Sequence, residues 1–150
     1  MSDTVVVDAN LALKWVLLEE DSNTSMMLLD KWTDEGKTII APALFAYEVT
    51  NILYRQAVIG KLTYDESRRG LVKLFSLEIM LKFSPYEEVS AQAMEFAQLF
   101  HLPATYDAHY LALAYEEQCE CWTADRRLWN AVKRELNWVR WLGEYQPELH

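Results

Sequence analysis

Short β-branched runs alternate with helical periods along this chain, and no other feature restricts its fold as strongly. Val5, Val6 and Val7 form an apolar run stopped by Asp8, the pattern of a strand buried on both faces. A short helix is expected from about Asn10, a longer one over residues 22–35 ended by Gly36, and a second strand over 38–41 ended by Pro42. Phe45, Val49, Ile52, Leu53 and Ala57 recur at helical spacing, which makes residues 43–59 an amphipathic helix. Thr63 with Glu66 reads as a capping box, and Ser84-Pro85 with Glu87 as a second one with proline in the first helical position. Residues 77–83 are expected as a strand between those two helices, the second of which runs to about Phe100. A helix over 105–117 carries Ala108, Leu111, Ala112 and Tyr115 on one stripe, followed by a strand over 119–123, a helix over 126–136 and a last strand over 138–142. This alternation predicts an α/β fold, a parallel sheet with helices on both sides.

With 150 residues and no repeat, low-complexity tract or Gly/Ser linker, the chain is expected to form one domain over residues 1–150. Hydrophobic residues at 51% and charged ones at 25% exclude intrinsic disorder. Asp3 stands where a signal peptide would carry Lys or Arg, and the apolar run from Trp15 to Leu18 is far short of a membrane span. A cytoplasmic protein is therefore expected. The net charge of −9 means that the overall field repels nucleic acid, so any contact with one must be local. Cys119 and Cys121 are too close for an ordinary disulfide and too few for a zinc site, and read as buried fillers on one side of a strand.

Acids recur at the predicted strand ends. Asp8 follows the first strand and Asp125 the 119–123 strand, so a parallel sheet places both at its carboxyl edge, where open α/β folds hold their ligands. Glu48 borders the apolar stripe of its helix, where an acid needs a partner such as Arg55 or another base. Asp107 opens the helix that must pack on the sheet. Taken singly, Asp8, Asp107 and Asp125 read as helix caps contributing about 1 kcal/mol each. Gathered at one edge, four acids repel one another and raise their pKa values unless a cation sits among them. An all-oxygen set suits Mg²⁺ or Mn²⁺, which leave positions open for water and phosphate oxygens and so support phosphodiester hydrolysis.

Four segments carry a family likeness: VVVDAN at 5–10, APALFAYEVTNILYR at 41–55, TYDAHYLALA at 105–114 and WTADRRLW at 122–129. In this order they resemble the PIN-domain ribonucleases, most closely the VapC-type toxins of toxin–antitoxin pairs, and the likeness covers nearly the whole chain. The resemblance implies a three-layer α/β/α sandwich with a central, mostly parallel sheet. It places the family's acidic quartet on Asp8, Glu48, Asp107 and Asp125, binding Mg²⁺ or Mn²⁺, and implies RNA cleavage by a metal-activated water. It also implies a homodimer inhibited by a small VapB-like antitoxin whose tail wraps the toxin. Asn10 and Thr123 match the family's polar positions beside the first and last acids and would orient a ligating carboxylate or a water. Asn51, one turn after Glu48, is favoured for the same work, whereas Thr105 reads as a local backbone cap.

Arg55, two turns from Glu48, either touches substrate phosphate or pairs with an acid, and Arg126 and Arg127 flank the last acid as the best local basic feature for RNA. His109 lies two residues after Asp107, about 200° around the helix from it, which places it nearly opposite the acid. The six tryptophans, spread over several elements, read as core or interface residues. Arg68, Arg69, Lys61 and Lys73 read as a solvated basic face. Two alternatives bear on function. A phosphate-accepting receiver domain would need paired acids at the first strand and a Lys near the last, and is excluded by the lone Asp8 and by Trp141. A catalytically weak PIN-like protein that works mainly as a protein-binding module is the rival reading, favoured by the negative net charge.

Overall fold

The structure, a computed structural model, describes residues 3–147. In chain order its elements are β1 (Thr4–Val7), α1 (Ala9–Leu13), α2 (Ser22–Asp34), β2 (Thr38–Pro42), α3 (Leu44–Val58) and α4 (Tyr64–Phe75). They are followed by β3 (Met80–Lys82), α5 (Tyr86–Leu99), α6 (Tyr106–Glu117), β4 (Glu120–Thr123), α7 (Arg126–Val132) and β5 (Val139–Trp141), with a short 3₁₀ turn over Leu142–Glu144. The strands form one all-parallel sheet ordered β3-β2-β1-β4-β5, with Val6 of β1 opposite Ile40 on one side and Cys121 on the other.

Successive strand side chains point to opposite faces, and Val5, Val6 and Val7 are all buried, so helices cover both faces of the sheet. This is the three-layer α/β/α arrangement that the alternation and the family likeness predict. From β1 the chain winds outward through β2 and β3, then returns to add β4 and β5 on the opposite side. The point where that order reverses lies between β1 and β4, and the crevice beyond their carboxyl ends is the place where such sheets bind ligands.

Helix α6 packs against β1, β2 and β4 while α5 packs on it, so it buries Ala108 and Tyr110 through Ala114 on more than one side. The single stripe predicted for it is too narrow, and Tyr115 is exposed, its ring edge-on to Phe96 at 5.7 Å. The capping box at Thr63 and Glu66 forms as expected. The one at Ser84 does not: Pro85 itself sits in extended backbone at the N-cap, so Ser84 lies one residue too early to reach the helix N–H groups. The strand expected over 77–83 shrinks to Met80–Lys82, because Glu78 turns left-handed at φ 60° and β3 pairs only with the end of β2. Helix α7 ends at Val132 instead of reaching 136, as the chain must turn there for Val139 to enter the sheet beside Cys121. The last strand is correspondingly short, Val139–Trp141. Both cysteines are buried free thiols, and Trp15, Trp32 and Trp122 meet edge to face in the core.

Candidate active site

Asp8 is the residue at which β1 leaves the sheet. Its N–H still donates to the Trp122 carbonyl at 3.1 Å, so the end of β1 is tied to β4. The side chain caps α1, with Oδ1 accepting from the Leu11 N–H at 2.9 Å. Its other oxygen, Oδ2, accepts from the hydroxyl of Thr123, the last residue of β4. That same hydroxyl oxygen accepts the Asp125 N–H at 2.9 Å, so one buried threonine links two of the four acids. Asp125 in turn caps α7, accepting from the Arg127 N–H at 2.9 Å. For Asp8 and Asp125, capping and membership of the acidic edge are therefore properties of the same carboxylate.

Asp107 is not a cap. It lies in the first turn of α6, half-buried, with Thr105 at the N-cap position. Thr105 makes no side-chain cap, contrary to expectation; its backbone is already helical and it offers instead its carbonyl to His109 Nδ1 at 2.7 Å. Glu48, half-buried on α3, finds its partner in Tyr110, whose hydroxyl donates to Oε1 at 2.6 Å. Arg55, the partner the sequence suggested, is exposed and outside the ion pairs among the described residues. Tyr110 is the functional residue that sequence reasoning missed. The signal was present, since it stands three residues after Asp107 and so on the same side of the helix.

The electrostatics bind the four acids into one system. Asp8 is only 3% exposed, and burial pushes its carboxyl up to about 7, against the lowering effect of its hydrogen bonds from Thr123 and Leu11. Asp107 is raised by burial and then by the charge of Asp125. Glu48 is raised by burial, lowered by the Tyr110 hydrogen bond, and raised again by Asp107. Asp107 also raises Asp8. Asp107 is thus the common member, raising Asp8 and Glu48 and itself raised by Asp125 at the start of α7.

Among the described residues, no group of three or more His, Cys, Asp or Glu is drawn together tightly enough to enclose a metal ion. The donor set nevertheless fits a hard divalent cation, being all oxygen and including one carboxylate deprived of water. Mg²⁺ in particular retains several waters and needs only one or two direct carboxylates.

Among the described residues, Thr123 is the supporting residue whose side chain is hydrogen-bonded within the acidic group, while Arg127 reaches Asp125 through its backbone N–H. Asn10 and Asn51 are exposed, as are Arg126 and Arg127, with the Arg126 guanidinium 5.2 Å above the Trp141 ring. His109 is half-buried, and its charge acts on Glu48, so the imidazole that the helix turns from Asp107 faces a different acid of the group. No helix among the described residues is long and apolar enough to cross a membrane.

Comparison with known proteins bears on the fold and the family. The PIN domain family model matches residues 5–134. Ribonuclease VapC3 of Pyrobaculum aerophilum is 33% identical over 124 residues, covering 83% of this chain and 91% of that protein. Exonuclease VapC9 of the same organism is 30% identical over 108 residues, 72% of this chain and 77% of its own length. The crystal structure of PAE2754, also from P. aerophilum, superposes with a TM-score of 0.62 at 25% identity and covers 87% of each chain. Sheet order, matched span and identity converge: the chain belongs to the PIN domain family.

Proposed function

We propose that this protein is a divalent-metal-dependent endoribonuclease of the VapC type, hydrolysing RNA phosphodiester bonds. The observation that carries this reading is Asp8, a buried carboxyl raised to about 7 at the sheet's reversal point, linked through Thr123 to Asp125 and coupled electrostatically to Asp107. A fold places an acid there at a loss of stability, which is reasonable where a cation offsets that loss. The names of the relatives, one a ribonuclease and one an exonuclease, support a nuclease.

In this reading Asp8, Glu48, Asp107 and Asp125 hold Mg²⁺ or Mn²⁺. A bound ion would polarise water and stabilise developing charge on phosphate oxygens. Thr123 fixes the orientation of Asp8 by donating its hydroxyl and the position of Asp125 by accepting the Asp125 N–H; Tyr110 orients Glu48. Asn10 and Asn51 stand ready to hold water at the rim, and Arg55, Arg126 and Arg127 supply the local positive charge that an acidic chain needs beside RNA. The protein acts as a single cytoplasmic domain, pairs with a second copy of itself and is held inactive by a VapB-like antitoxin.

Cleavage of single-stranded RNA, titrated against Mg²⁺, Mn²⁺ and chelator, tests this directly. Cleavage is expected to require metal and to vanish in Asp8→Asn and Asp125→Asn proteins that keep the wild-type circular dichroism. Wild-type activity in either variant, or activity undiminished by chelator, would refute it. The net charge of −9 favours the rival protein-binding module, and a folded protein that cleaves no RNA with any metal yet binds an antitoxin would establish that rival.

A further inference from the structure

At the first turn of α3 lies a cleft of about 240 Å³ whose walls differ from the acidic edge. Leu44, Tyr47, Phe83, Tyr86, Lys82 and His109 contribute to it. Three of these are aromatic and largely exposed, Tyr47 at 71%, Phe83 at 72% and Tyr86 at 61%, and the Phe83 and Tyr86 rings meet edge to face at 6.5 Å. Water-exposed aromatic faces grouped around a recess are a surface awaiting an occupant.

Helices α3 and α6 carry the cleft toward the acids. Leu44, Glu48, Ile52 and Gln56 stand four residues apart on α3 and so share one stripe, about 18 Å long at 1.5 Å per residue. Leu44 lines the aromatic cleft, whereas Ile52 and Gln56 line a second, polar cleft of about 260 Å³ together with Asn10 and Asp125. Glu48 lies between the two. His109 joins the aromatic cleft to α6 just after Asp107, and its Nδ1 must donate, because it faces the Thr105 carbonyl.

We propose that this cleft is a nucleobase subsite, taking the unstacked base of single-stranded RNA next to the scissile phosphate against the exposed faces of Phe83 and Tyr86. It rests on the ribonuclease reading above and addresses a difficulty in it. A chain of net charge −9 cannot gather RNA by its field. Aromatic stacking is indifferent to that charge and holds bases one at a time. Lys82, at the end of β3 and 3.7 Å from Glu117, adds a single cation at the cleft.

Two measurements test the subsite. In the first, wild type and Phe83→Ala, Tyr86→Ala, Phe83→Tyr and Tyr64→Ala variants cleave a random-sequence RNA pool in Mn²⁺, and the ends are sequenced. The two alanine variants are expected to flatten base preference at one position beside the cut and to raise KM about tenfold, with kcat little changed. Phe83→Tyr should retain preference and KM, and Tyr64→Ala, on α4 away from the cleft, should match wild type. The second measurement needs no cleavage: fluorescence anisotropy of a labelled single-stranded oligoribonucleotide on Asp125→Asn protein, where adding Phe83→Ala should weaken binding by a similar factor. Unaltered base preference and binding in both alanine variants would overturn the subsite while leaving the nuclease intact. Phe83-dependent binding without any wild-type cleavage would leave the subsite standing and remove the nuclease reading. Conversion of a two-copy species to a single copy by Phe83→Ala, seen by sedimentation, would overturn the subsite and assign the face to self-association.

Discussion

The strain at Asp8 makes a quantitative expectation possible. Its carboxyl titrates near 7 in the folded protein against an ordinary 3.8, and each factor of ten in acidity is worth about 1.4 kcal/mol, so the ionised form is disfavoured by about 4 kcal/mol. The sign follows from proton binding: between about pH 4 and pH 7 the folded state holds a proton that the unfolded state has lost. In chelator, stability therefore falls as pH rises through that window, and the full loss is present above it. Asp8→Asn removes the charge. It retains an oxygen for the Leu11 N–H but leaves the Thr123 hydroxyl without its carboxylate acceptor, at a cost of about 1–3 kcal/mol. The two stability curves should thus cross near pH 5. Wild type is the more stable at lower pH, and the variant at pH 8 by about 1–3 kcal/mol, where each kcal/mol moves Tm by about 2–4 °C for a chain of this size. Thermal melts of both proteins in chelator from pH 4 to 8, repeated with millimolar Mg²⁺ or Mn²⁺, read this out. Metal should raise the wild-type Tm at pH 8 and leave the variant nearly unmoved. Parallel pH profiles for the two proteins in chelator would refute the claim that Asp8 is held ionised against its surroundings.

Three further substitutions have definite expected outcomes. Thr123→Val deletes the donor to Asp8 and the acceptor for the Asp125 N–H, and should cost about 1–3 kcal/mol by urea denaturation. Its apparent metal affinity, measured by thermal shift, should also fall. Tyr110→Phe removes the hydrogen bond that lowers the Glu48 pKa, so titration of Glu48, followed by carboxyl NMR shifts, should move upward, with about 1 kcal/mol lost from the fold. Gly143→Ala would place a Cβ about 2.2 Å from the Trp141 ring, forcing that ring off Trp129, on which it stacks at 5.3 Å. A loss of about 1–3 kcal/mol and a changed near-ultraviolet circular dichroism spectrum are expected.

Why some of this was legible in the sequence and some was not has a common physical cause. The β-branched run before Asp8 and the spacing of Phe45, Val49 and Leu53 are local patterns whose side chains all end in the core, so periodicity alone located β1 and α3. The acids at strand ends were equally visible, because a parallel sheet puts every strand's carboxyl end on one edge. What failed was decided across the chain. Glu48 is paired by Tyr110, 62 residues away, in preference to Arg55 on its own helix, since only packing of α3 beside α6 brings that hydroxyl near. Tyr115 was assigned inward on a single stripe, whereas α5 and the sheet together bury other sides of α6. At Ser84 the failure was local: the pattern of a capping box was present, but the backbone of Pro85 took the cap position itself.

The same burial accounts for both the cost of the site and its use. A carboxylate on the surface would meet a cation through water and salt, where their attraction is small and screened. Asp8 sits instead directly after three buried valines, under the sheet's own core, where losing water disfavours its charge and strengthens any attraction that charge then makes. In the proposed reading, desolvation at Asp8 and affinity for a divalent ion are one quantity seen from two states, and protons and metal would compete for it. Burial favours the protonated carboxyl below about pH 7, and a metal ion would have to displace that proton to bind. The hydrogen bonds from Thr123 and Leu11 limit the penalty without removing it, since they favour the ionised form but leave it buried. An asparagine would satisfy the helix cap of α1 almost as well. That an acid occupies the position, at a cost in stability the cap does not require, points to a role for its charge beyond holding the fold together.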